Sequence, residues 1–204
     1  FVGEADGRNF TFVHSGIGDR LLGDAVLLMN GGPVRDVIFA GTSGGLKNCV
    51  IGDIVAAESA FDGEGFSRYS AKDFSLSNLL QNGRTIPGNT DLTYHLCALK
   101  NMVSGNTPAV KKGDVFTIGS LLAETEENLV VLENSGFIGI EMELSAVYSA
   151  AAALGIRASG LLAVSDLPVK RPIWEALGTE DKRCLSLSIE TIVETIMRFV
   201  GTCD

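Results

Sequence analysis

Basic side chains are the first thing this sequence is short of. Lys and Arg together number 16 against 25 Asp and Glu, a formal net charge of −9. The deficit argues against broad nucleic-acid binding, whose affinity rests on cations set against phosphates, and against docking on an anionic membrane. Histidine is scarce, with only His14 and His95. The four cysteines, Cys49, Cys97, Cys184 and Cys203, form no C-x-x-C pair and cluster with neither histidine. No metal site is expected from such a set. The cysteines read as buried thiols in a reducing compartment, which points to a cytoplasmic protein. Long apolar runs are missing too. Stretches such as Ser159-Gly-Leu-Leu-Ala-Val164 are far too short to span a bilayer. No basic segment followed by an apolar one marks a signal peptide. The chain starts at Phe1 rather than Met, which reads as processing or as a natural start lying elsewhere.

Aromatic residues make up only 7% of the chain, whereas glycine occurs 24 times. Few rings and many glycines fit an α/β protein with tight turns beside a ligand. At 46% hydrophobic and 20% charged, the 204 residues exclude a disordered chain and read as one domain over 1–204.

Patterning supplies the elements. Asn9 to His14 reads as a strand, followed by the turn Ser15-Gly-Ile-Gly18. Leu21, Leu22, Ala25, Leu28 and Met29 recur at helical spacing, and Gly31, Gly32 and Pro33 stop that helix. Strands are predicted at Val37 to Ala40, Ile51 to Ala57, Asp114 to Ile118, Ile138 to Ile140 and Ala158 to Val164. Ala60 to Ala71 is rich in Gly, Ser and Asp and reads as a surface loop. Helices are predicted over Thr90 to Met102, Met142 to Leu154 with Gly155 ending it, and Ser186 to Val200. Alternation of apolar strands with helices predicts an α/β fold with a largely parallel or mixed sheet.

Three strand ends carry polar or glycine residues. Gly41-Thr-Ser-Gly-Gly45, Glu141-Met-Glu143 and Ser165-Asp166 each follow an apolar run. Ligands of open α/β sheets bind beyond the carboxyl ends of strands, so these can form one pocket; singly, each also reads as a cap or a turn. Gly41-Thr-Ser43-Gly-Gly45 formally matches the nucleophile elbow of serine hydrolases. That fold requires a late histidine, and His95 is the last one here. His95 lies among Leu92, Leu96 and Leu99, where it reads as a packed core residue. Gly16-Ile-Gly18, opening a helix, can hold an anion on free N–H groups.

With these residues quoted, the sequence resembles the nucleoside phosphorylase superfamily, in particular hexameric purine nucleoside phosphorylase and methylthioadenosine/S-adenosylhomocysteine nucleosidase. Ser15-Gly-Ile-Gly18, Gly41-Thr-Ser-Gly-Gly-Leu46, Ile51-Gly-Asp-Ile-Val55, Gly139-Ile-Glu-Met-Glu143 and Val164-Ser-Asp166 carry the resemblance in order across nearly the whole chain. It implies a three-layer α/β fold, a mixed, twisted central sheet flanked by helices. It implies cleavage of the N-glycosidic bond of a purine-type nucleoside or thionucleoside by water or phosphate. It implies no cofactor, leaving phosphate open as co-substrate, and a homodimer or dimer-based hexamer. By resemblance, Glu143 binds the ribose hydroxyls and Asp166, oriented by Ser165, protonates N7 of the base; these two are the catalytic pair. Met142 packs on the sugar, Thr42 lies near the nucleophile, and Gly18, Ser43, Gly44, Leu121 and Glu141 complete the substrate-binding set.

The sequence also departs from the pattern. Phosphorolytic relatives carry an arginine where Phe39 stands, which leans the expectation toward hydrolysis. The family's first strand and loop, which hold nucleophile-site residues, have no counterpart here. Leu121 and Leu122 stand where relatives stack an aromatic ring on the base, and Leu121-Leu-Ala-Glu-Thr-Glu-Glu127 reads as a solvated helix start. Lys170 and Arg171 follow Ser165-Asp166 with no fixed direction. His14, Phe61 and Phe66 are candidates for completing a neighbouring subunit's pocket. The competing expectation is a nucleoside-binding or regulatory protein without turnover on the same fold.

Overall fold

The computed structural model describes residues 1–5, 7–105 and 107–202; Cys203 lies outside them. Two short antiparallel strands, β1 (Val2–Ala5) and β2 (Arg8–Thr11), form a hairpin of their own. The main sheet uses β3 (Asp36–Gly45), β4 (Ile54–Gly63), β5 (Thr85–Pro87), β6 (Val110–Ile118), β7 (Gly139–Glu141) and β8 (Arg157–Asp166). Its order is β5-β4-β6-β7-β3-β8, and β4 also pairs with β8. The ring of five strands therefore closes on itself. β4, β6 and β7 run parallel to one another, β3 and β8 run parallel to each other, and the two sets meet antiparallel. Right-handed strand twist, accumulated over strands of up to ten residues, brings the two edges together.

Helices cover the ring. They are α1 (Asp19–Leu27), α2 (Phe66–Tyr69), α3 (Leu76–Asn82), α4 (Thr90–Lys100), α5 (Glu126–Asn134), α6 (Leu144–Leu154) and α7 (Thr179–Thr202). The α1 and α6 side packs Leu22, Val26, Leu144, Val147 and Tyr148 on Val55, Leu162 and Val164. The α4 and α7 side packs Leu92, Leu96, Ile192 and Phe199 on Ile54, Leu161 and Ala163. A third cluster joins Phe61, Phe116 and Phe137 to Leu129 and Leu132 of α5. The result is a central mixed sheet flanked by helices, as the sequence implied. No helix of the described residues is long and apolar enough to cross a membrane.

Local chemistry explains the helix ends. The Asn89 side chain accepts from Leu92 N at 2.9 Å, capping α4. Gly155 ends α6 at φ 68, a left-handed residue that glycine adopts without strain.

Several expectations are corrected. Ala60 to Gly63 is not loop but the end of β4, with Ala60 and Phe61 buried. Phe61 stacks on Phe116 with centroids 5.5 Å apart, so its ring is committed to its own core and is not presented to a neighbour. His95 is exposed, edge-on to Phe199 at 5.4 Å, rather than buried. In α1 only Leu22 and Val26 are buried, and Leu21 and Leu28 face outward.

Candidate active site

Strand register assembles the site. Gly44 of β3 is partnered by Ile140 of β7 on one side and by Asp166 of β8 on the other. The polar ends that the sequence marks on three strands thus lie side by side. Gly44 has no room for a side chain: a Cβ there would sit 2.6 Å from Pro168 Cγ and 2.8 Å from Ile140 Cγ2. Neither a proline ring nor a β-branched chain yields readily. Gly44→Ala is expected to cost about 1–3 kcal/mol, read as a lower urea midpoint at unchanged m-value; an unshifted midpoint would contradict the packing.

Glu141 ends β7, buried and fully engaged. Its Oε1 accepts from the Thr117 hydroxyl of β6. Its Oε2 accepts from the backbone N of Glu143 and of Leu144, both at 2.7 Å. The carboxyl thereby satisfies free donors at the start of α6. Thr117 Oγ1 accepts in turn from Ser145 N at 3.0 Å. Burial pushes the Glu141 carboxyl up to about 7, against the pull of those hydrogen bonds. With both oxygens occupied inside the protein, Glu141 builds the turn that presents its neighbours.

Glu143, the N-cap residue of α6, is half-buried. Its Oε1 accepts from Gly18 N at 2.6 Å. Gly18 holds φ 109, which a side-chain-bearing residue rarely adopts, so the glycine turn before α1 is shaped to reach this carboxylate. Burial raises the Glu143 carboxyl above its ordinary value, and Asp19 adds to the shift. Met142 is partly buried and packs on the cluster of Phe61 and Phe116. Glu64, just past β4, accepts from the Ser145 hydroxyl. Burial raises its carboxyl, and the charges of Asp19 and Asp62 push the same way. Asp19 therefore acts on both Glu64 and Glu143.

Asp166 closes β8 at 5% exposure. Ser165 Oγ donates to its Oδ1 at 2.8 Å and lies 3.4 Å from Ser43 O. Burial raises the Asp166 carboxyl, and the serine bond opposes the rise. Thr42 is exposed. Ser43 Oγ is buried with no hydrogen-bond partner among the described residues, so no histidine activates it. Leu121 is 42% exposed in a 3₁₀ turn, Leu121–Ala123, after β6. Phe39 packs into the core beside α6. Arg171 pairs with Asp181 of α7, which gives its direction, and Lys170 is exposed.

Two carboxylates escaped the sequence reading. Glu64 fell in a presumed loop, and Glu124 in a run read as solvated. Glu126 and Glu127 do begin α5 in solvent behind the cap Thr125. Glu124 instead turns inward, where burial and the nearby Asp166 push it up to about 7. No local sequence signal separates these acids. Among the described residues, no group of three or more His, Cys, Asp or Glu is placed to hold a metal.

Comparison with known proteins follows the same lines. The family model of the phosphorylase superfamily matches residues 1–200. A purine nucleoside phosphorylase of the DeoD type from Buchnera aphidicola subsp. Schizaphis graminum is 27% identical over 164 residues, 78% of this chain and 64% of that protein. The chain thus spans less than two thirds of this curated relative's length. Among solved structures, the 5′-methylthioadenosine/S-adenosylhomocysteine nucleosidase of Neisseria meningitidis, in complex with methylthio-immucillin-A, superposes with TM-score 0.75 at 18% identity, covering 99% of this chain and 85% of that one. Uridine phosphorylase of Vibrio fischeri ES114 superposes with TM-score 0.72 at 20% identity, covering 97% and 77%. At such identities the two structures establish the fold alone.

Proposed function

The chain belongs to the phosphorylase superfamily, and we propose that it cleaves the N-glycosidic bond of a purine-type nucleoside or thionucleoside, with water or phosphate as nucleophile. The observation that carries the reading is Asp166: a buried carboxyl, raised toward protonation and held by Ser165, on β8, which β3 alone separates from the strand that leads to Glu141 and Glu143. Breaking a ribosyl–purine bond puts positive charge on the sugar and negative charge on the base. Asp166 donates its proton to N7 and so makes the base a better leaving group. Glu143 commits Oε1 to Gly18 N. Its Oε2 accepts from the sugar hydroxyls, and its charge favours the cationic sugar of the transition state. Met142 lies against the sugar, Leu121 covers the base, and Thr42 with the backbone around Gly18 and Gly44 borders the nucleophile. Ser43 shapes the same turn.

The protein acts as a homodimer or a dimer-based hexamer in the cytoplasm and needs no cofactor. Phe12, Ile17, Leu21 and Leu28 are exposed apolar side chains near the glycine turn, suited to a subunit contact.

The test is incubation with a panel of purine nucleosides and thionucleosides, with and without phosphate. Free base is the expected product, and its dependence on phosphate names the nucleophile. Tight binding without any released base would favour a nucleoside-binding protein instead.

A further inference from the structure

Glu143 takes its direction from one bond, Gly18 N to Oε1 at 2.6 Å. That bond joins the start of α1 to the start of α6, residue 18 to residue 143. A second tie runs beside it, and the cleavage reading does not use it. Glu64 stands one residue past the end of β4. Its Oε1 accepts from the hydroxyl of Ser145, a wholly buried residue in the first turn of α6, two positions after Glu143. Its carboxyl also hydrogen-bonds that of Asp19, the first residue of α1 and the neighbour of Gly18. Two carboxyls so joined share one proton, since both charged would repel. Glu64 thus links residue 19 to residue 145, alongside the bond from residue 18 to residue 143.

The anchor of this tie is held on every side. Asp62 Oδ1 accepts from Glu64 N at 3.3 Å, and the Tyr69 hydroxyl donates to Gly63 O, so the chain is fixed before and after Glu64. Gly65 lies hard against the end of β6: a Cβ on Gly119 would sit 3.0 Å from Gly65 N. Ser145 is fixed from a second direction, its backbone N donating to Thr117 Oγ1 at 3.0 Å. The two helices are in close contact, for a Cβ on Gly23 of α1 would stand 3.4 Å from the Cβ of Ala146 of α6.

We infer that Glu64 is a positioning residue: it clamps the start of α1 to the start of α6 through Asp19 and Ser145, and so keeps Glu143 Oε1 on Gly18 and Oε2 turned to the sugar. The inference rests on the reading of Glu143 as the group that takes the sugar hydroxyls. A carboxylate set to accept from hydroxyls is sensitive to small displacements, because a hydrogen bond weakens steeply as its angle closes.

The experiment takes the full chain as wild type, Glu64→Ala, Glu64→Gln and Asp19→Ala. It measures kcat/KM for adenosine and for 2′,3′-dideoxyadenosine, whose sugar offers Glu143 neither hydroxyl, and the hydrogen–deuterium exchange of the Gly18 amide. In Glu64→Ala the ratio of adenosine to dideoxyadenosine is expected to fall about tenfold, the scale of one hydrogen bond to a charged group, and Gly18 to exchange about tenfold faster. Asp19→Ala cuts the other end of the tie and should move both readouts the same way. Glu64→Gln should preserve both, because its amide oxygen accepts from Ser145 while its NH₂ donates to Asp19. A residue that merely stabilised the fold would lower both rates together and leave their ratio intact. That result, or an unchanged Gly18 exchange rate in Glu64→Ala, overturns the inference. Failure of the cleavage reading looks different. With no base released, the same ratio is read from equilibrium binding of the two nucleosides. A wild type that binds both alike removes Glu143 from the sugar, and Gly18 exchange alone then decides whether Glu64 is the clamp.

Discussion

On the proposed cleavage, Asp166→Asn is expected to lower nucleoside turnover by about 10²- to 10⁴-fold, the usual worth of general acid catalysis, and to leave nucleoside affinity within a few-fold. The asparagine fills the same space at the end of β8 and can still accept from Ser165 Oγ, which bonds Oδ1 at 2.8 Å. On that reading its amide can still donate to N7, so binding is expected to persist. It has no acidic proton to release as the glycosidic bond lengthens, so the leaving base departs as an anion. Glu143→Gln differs in kind: the sugar hydroxyls lose a charged acceptor, and both affinity and turnover fall. Single-turnover rates together with calorimetric affinities for both variants check this. Asp166→Asn turning over at the wild-type rate would remove Asp166 from the acid's role.

Glu141→Leu is expected to destabilise the fold by about 3–5 kcal/mol, within the range for breaking a buried polar network. Three donors face this carboxyl: the Thr117 hydroxyl and the backbone N of Glu143 and Leu144. A leucine leaves them all buried without an acceptor. Glu141→Gln should cost only about 1 kcal/mol, since its oxygen serves the two N–H groups while its NH₂ turns to Thr117 Oγ1.

The same pair carries a pH signature. The folded-state value of Glu141, about 7, stands above its unfolded reference of 4.5. The native state therefore binds the proton more tightly, and stability falls as pH rises from about 4.5 toward about 7. The raised carboxyls of Glu64, Glu124, Glu143 and Asp166 act in the same direction. Urea unfolding at pH 5, 6, 7 and 8 should show the wild type losing stability across that window and Glu141→Gln losing less. A wild-type curve that gains stability from pH 5 to pH 8 would contradict the assignment.

What the sequence determined by itself was carried by short-range signals. Gly41-Thr-Ser-Gly-Gly45, Glu141-Met-Glu143 ahead of an alanine-rich helix, and Ser165-Asp166 after an apolar strand are each readable within a few residues. Their proposed chemistry comes from the family resemblance they carry, whereas the cap at Asn89 follows from residue type and local geometry. Tertiary structure decided the rest. Ala60 to Gly63 reads as loop because Gly, Ser and Asp surround it, and it becomes strand because β6 lies alongside on one edge while β5 pairs Ala60 and Phe61 on the other. Glu141 and Glu143 look equivalent in the chain. Register opposite Thr117 buries the first against three donors, while the second is left half-open beside Gly18. Glu124 and Glu126 are two residues apart in one acidic run. Only strand register, which through β7 and β3 brings the end of β6 level with the end of β8, sets one where Asp166 acts on it and leaves the other in water. A carboxylate's role depends on its dielectric and its partners, and both are properties of residues distant in the chain.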